Sequence, residues 1–143
     1  MEKNLNEILN RDDYKKLTKQ LKERVEKIAC AISTKMFELD IEEDMINIDN
    51  VCVTCRSVRS SIGDYDYLAI ARNTEYGTEW YSLEDVNHSY YYCNDFNARV
   101  HGCTNKEALL FLNVASKIIE YLGVIEEKQV LHLQQSLDNT KGI

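Results

Sequence analysis

Four of the five cysteines stand close to one another or to an imidazole, as Cys52-Val-Thr-Cys55, Cys93 and His101-Gly-Cys103, and that is enough sulfur and nitrogen for a tetrahedral zinc site. A C-x-x-C pair chelates only where the chain folds back as a knuckle. Here Val53 and Thr54, both strand formers, separate the thiols and no glycine follows. If 51–58 is a regular strand, Cys52 and Cys55 point to opposite faces with Cα atoms roughly 10 Å apart, too far to share an ion or a disulfide. The thiols are therefore expected to be buried and structural, with no metal or other cofactor implied.

Other reactive arrangements fare no better. Cys93 or Cys103 beside His88 or His101 would make a nucleophile–base pair, but the neighbourhood is acidic and an acidic field raises a thiol pKa. Asp64 and Asp66 share a face of any strand that begins there, and Glu79 or Asp95 could approach them across a sheet, as a divalent-metal site would need. The same region has no lysine with which to hold a phosphate. Five glycines, none in a G-x-G-x-x-G or P-loop pattern, leave no phosphate-cradling loop. No motif names a reaction, and we expect a protein that binds rather than catalyses.

What stands out instead is the block 46–99. It holds Tyr65, Tyr67, Tyr76, Trp80, Tyr81, Tyr90, Tyr91 and Tyr92, and no lysine occurs between Lys35 and Lys106. From Asp40 to Asp95 there are 12 carboxylates against three arginines, so the −7 of the whole chain is carried by its middle. Phosphate binding is driven by Lys and Arg releasing counterions, so such a surface repels nucleic acid and attracts basic protein. Tyrosine beside carboxylate is the chemistry that receives arginine, by ring stacking and by paired hydrogen bonds. Asp64, Tyr65, Asp66, Tyr67, Glu75, Tyr76, Glu79, Tyr81, Glu84 and Asp85 are the candidate partner-binding residues.

The elements that must position them follow from periodicity. Tyr14, Leu17, Leu21, Val25, Ile28, Ala29, Ile32 and Met36 recur at steps of three and four, which predicts a long helix over 1–40 with Asp12 or Asp13 as N-cap. Arg24 interrupts a strict heptad, so this stripe is expected to pack on a sheet, with a dimer seam as the lesser use. A first strand is expected from Ile46 to Val58, then Tyr65–Arg72, Thr78–Leu83 and Ser89–Phe96, joined by short turns as an antiparallel meander of about four strands. In the second strand Leu68 and Ile70 share one face, and Tyr65, Tyr67, Ala69 and Ala71 the other. Thr104-Asn-Lys-Glu107 reads as a capping box opening a helix to Leu122, with Gly123 as its terminating glycine. A further helix is expected over 126–137 and a frayed tail over 138–143.

The expectation is thus one α+β domain spanning 1–143, its sheet covered by an N-terminal helix and two C-terminal helices. No basic stretch precedes an apolar run at the N-terminus and no uninterrupted apolar run approaches ~18 residues, so a cytoplasmic protein is expected. In size and charge the chain resembles the acidic inhibitors encoded by phages and other mobile elements, anti-CRISPR and anti-restriction proteins among them. That resemblance implies a stoichiometric inhibitor in which carboxylates stand where phosphates would sit and tyrosines where bases would stack. An immunity protein or antitoxin set against a basic toxin would use the same surface, and a metal-dependent enzyme acting on a small nucleotide would use Asp64, Asp66 and Glu79.

Overall fold

The computed structural model describes residues 4–9, 11–60, 63–84 and 101–143. They form a short helix α1 (Leu5–Leu9), a long helix α2 (Asp12–Glu38), strands β1 (Ile46–Ile48), β2 (Val51–Ser60), β3 (Gly63–Thr74), β4 (Gly77–Ser82) and β5 (His101–Gly102), and a second long helix α3 (Asn105–Asn139). The architecture is α+β. The sheet order is β1-β2-β3-β4-β5.

The expected meander is right for the antiparallel β2–β3 and β3–β4 pairs, but the sheet is mixed, because β5 lies parallel to β4 through Tyr81↔His101 and Ser82↔Gly102. The expected strand Ser89–Phe96 lies outside the described residues. The stretch read as one strand from Ile46 to Val58 is two strands. Asp49 and Asn50 adopt φ of 50° and 66°, the left-handed pair of a two-residue hairpin turn, which short polar side chains tolerate. The chain therefore doubles back on itself, pairing Ile46 with Val53.

Both long helices cover one face of the sheet. Val53, Leu68 and Ile70 point into that layer and meet Val25, Ile32 and Met36 of α2 and Phe111 and Ile118 of α3. The two helices run parallel. Asn105 donates to the Tyr14 hydroxyl at 3.3 Å near their starts, and Lys35 pairs with Glu126 about six turns later. Gln129 then donates to the Leu39 carbonyl at 2.8 Å, anchoring the end of α2.

The helix ends differ from expectation in instructive ways. Arg11, not Asp12 or Asp13, is the N-cap of α2, and its guanidinium bridges Asp13 in the first turn. Thr104 is the N-cap of α3, but its hydroxyl donates to the Glu107 carboxylate and no side chain caps the backbone. Glu107 is held inward instead, 3 % exposed and 3.4 Å from the Arg72 guanidinium. The two expected C-terminal helices are one helix of 35 residues. Gly123 does not end it, because a single glycine costs a helix only about 1 kcal/mol and no proline follows. By length and composition alone α3 could cross a bilayer, yet 33 % of its apolar stretch is buried inside the domain.

Candidate functional site

Strand pairing decides which candidate residues meet. In β3, Asp66, Leu68, Ile70 and Arg72 lie on the helix-covered side, and Tyr65, Tyr67, Ala69 and Ala71 on the opposite side. The predicted partner-binding residues are thus divided between two faces. Tyr65 is half-buried, and Tyr67, at 6 % exposure, has too little surface to stack on a partner. Tyr76 sits at the β3–β4 turn beside Glu75 and is 93 % exposed. Asp85 lies outside the described residues, and for Asp64 the backbone alone is described, paired with Arg59.

The carboxylates separate into two groups along the sheet. Arg72 pairs with Glu79 in the register, six residues along β3 from Asp66, so Asp66 and Glu79 stand roughly 20 Å apart. At the Glu79 end, the Tyr81 hydroxyl donates to Glu79 at 2.8 Å, which raises the Tyr81 pKa. The Arg72 guanidinium lies 5.7 Å from the Tyr81 ring centroid while also pairing with Glu107. His101 of β5 brings its ring to 6.0 Å from that of Tyr81.

At the other end, the fields of three carboxylates from three elements reach one thiol. Cys55 lies opposite Leu68 on the helix side, with its sulfur 3.8 Å from that of Met36. Burial raises its pKa first, and the fields of Glu84, Asp66 and Glu42 raise it further, to about 12. Asp66 accepts from the Ser57 hydroxyl across the β2–β3 pair. Glu84, just past β4, accepts the Leu68 amide N–H. Its own pKa is raised by burial, with Asp66 adding to the shift and the Leu68 N–H, Ser33 and Cys30 opposing it. One Glu42 oxygen is buried with no hydrogen-bond partner among the described residues. No ion pair among the described residues neutralises this trio.

Among the described side chains of the sheet, the two arginines are engaged elsewhere. Arg72 is held by Glu107 and Tyr81, and Arg56 stacks 5.4 Å from the Trp80 ring centroid on the outer face. That outer face carries a trough of about 860 Å³, with Cys52 and Ala71 among its lining and Asn47, Asn73 and Trp80 standing around them. Asn47 is level with Cys52, and Ala71 with Trp80, so the small pair Cys52 and Ala71 lies between Asn47 and Trp80 across four strands. Sequence reading missed this trough. Its only signal is the small pair Cys52 and Ala71, which means nothing until the hairpin at Asp49-Asn50 sets the register.

The regular geometry of β2 places Cys52 on the outer face and Cys55 on the helix side, so the C-x-x-C pair cannot share an ion. Among the described residues no group of three or more His, Cys, Asp or Glu is placed to hold a metal.

No family model, characterised protein or solved structure matches this chain.

Proposed function

We propose that this protein is a stoichiometric, non-catalytic binding protein of the cytoplasm, whose acidic sheet end docks on a basic surface of a nucleic-acid-handling protein. One observation carries the reading. Glu42, Asp66 and Glu84, from the loop after α2, from β3 and from just past β4, each add a negative field at a single thiol, and no ion pair among the described residues engages any of the three. Three like charges gathered without a counter-charge cost free energy, and a partner's lysine or arginine relieves that cost.

Among the acidic candidates, Asp66 and Glu84 play different parts. Glu84 holds the Leu68 amide and belongs to the fold, whereas Asp66 is exposed and free to meet a partner. Tyr67 contributes to packing, and Tyr76 and Tyr81 stand at the Glu79 end of the sheet, away from Asp66. The separation of Asp66 from Glu79 disfavours a metal-dependent reaction shared by those two side chains.

In this reading the protein acts as the acidic inhibitors of mobile elements do, occupying a groove built for phosphates. Affinity capture from lysate of the natural host, at low and high salt, tests it. The expected result is retention of one nucleic-acid-handling protein that salt releases and added RNA or DNA displaces. Retention of a toxin that nucleic acid does not displace would make this an immunity protein. Retention that is indifferent to salt would contradict the electrostatic account.

A further inference from the structure

The trough on the outer face of the sheet lies on the side away from both long helices and from Asp66, and partner docking at the acidic end makes no use of it. Its volume of about 860 Å³ is that of a small-molecule site. Its lining is polar yet locally neutral. Among the described residues no lysine or arginine lines it, and its one carboxylate, Asp49, is paired with Lys117 of α3. In a chain of net charge −7, a neutral polar concavity selects an uncharged ligand.

Two rows of outward side chains build the site. Asn47, Cys52, Ala71 and Trp80 stand level across four strands. Three inter-strand steps of about 4.8 Å set Asn47 and Trp80 roughly 14 Å apart, with the small pair as the floor between them. In the next row, toward the β3–β4 turn, Asn73 pairs with Thr78. The Thr78 hydroxyl donates to the Asn73 side-chain oxygen at 3.2 Å, which leaves the Asn73 NH2 group to donate to a ligand. Trp80 is half-buried, and the Arg56 guanidinium lies over its ring at 5.4 Å from the centroid. Arg56 is not among the lining, so it steadies the indole from the side turned away from the trough and leaves the facing side open.

We infer that this trough binds an uncharged oligosaccharide, a short chain of linked pyranose rings laid from Trp80 toward Asn47. The open indole face is a flat apolar plane for the C–H face of one ring, with an N–H at its edge for a hydroxyl. Each asparagine amide both donates and accepts, as each sugar hydroxyl does, so Asn47 and Asn73 can answer hydroxyls in either sense. A phosphorylated or acidic ligand would find no cation in the lining and would be repelled by the chain as a whole. A single heterocycle would occupy the Trp80 end alone and leave Asn47 unused.

Trp80 is the only tryptophan of the chain, so its emission reports on this site and no other. Fluorescence titration of the full chain with maltotriose, cellotriose and triacetylchitotriose, and with AMP as a charged ring of similar stacking power, tests the inference. At least one trisaccharide should give a saturable change with a dissociation constant of about 1 mM or tighter. The double variant Asn47→Ala/Asn73→Ala should weaken it by about tenfold or more, and Ala71→Leu, which fills the floor, should abolish it, both with the thermal unfolding of the parent. The bound sugar should also slow alkylation of Cys52, which lines the trough, and leave the exposed Cys30 unchanged. No saturable change with any of the three sugars, an equal or stronger response to AMP, or a titration unmoved by both variants would overturn the inference.

Discussion

At the scale of single residues, Cys55 and Glu84 report the electrostatics most directly. A thiol with a pKa of about 12 is almost wholly protonated at neutral pH, and the thiolate is the reactive form. Alkylation followed by peptide mass spectrometry should therefore label exposed Cys30 well before Cys55. Asp66→Asn, by removing one of the three fields, should speed labelling of Cys55; equal rates in both chains would mean the carboxylates do not act on it. Glu84 makes a second prediction through pH. Its pKa is raised in the folded state, so the folded chain holds that proton more tightly than the unfolded one. Stability from this group is greatest below the ordinary glutamate range, falls as pH rises through the raised value, and is level above it. Glu84→Gln keeps an oxygen for the Leu68 amide and removes the buried charge. Thermal melts between about pH 4 and 7 should show a higher Tm at neutral pH and a flatter profile than the parent, and a lower neutral Tm would contradict this.

At the scale of elements, the centre of the core is Phe111 on α3, fully buried between α2 and the sheet. Phe111→Ala should cost about 3–5 kcal/mol in chemical denaturation, as large-to-small core changes do, and a near-neutral result would displace α3 from the core. The elements were legible in sequence wherever periodicity was long. The stripe Val25, Ile32, Met36 and the alternation Leu68, Ile70 both appear as read, facing each other in the core. Boundaries set by one or two residues were not legible. Asp49-Asn50 turns the chain through left-handed φ values that a run of β-formers on both sides conceals. Gly123 carries the residue type of a helix end but sits inside a helix whose neighbours keep it going. The parallel strand β5 is two residues long and has no pattern to detect.

At the scale of the whole molecule, the acidic character was legible from composition, but its distribution was not. Sequence places Asp66, Tyr67 and Glu79 within 14 residues of each other, and alternation together with register sends them to opposite faces or opposite ends. Glu42 was missed because it precedes the sheet in sequence and reaches Cys55 only through the fold. The proposed partner-binding surface is therefore one end of the sheet and not the acidic block at large. Exposed charges contribute little to stability, so surface reversals can be compared without confounding the fold. The most direct measurement is paired capture from host lysate with two variants of equal charge change. One carries Asp66→Lys with Glu43→Lys at the end where Glu42, Asp66 and Glu84 converge. The other carries Glu75→Lys with Glu79→Lys at the far end. Loss of the retained protein from the first variant and its persistence on the second is the result predicted here. Undiminished capture by the Asp66 variant, with its melting temperature intact, would contradict the central claim.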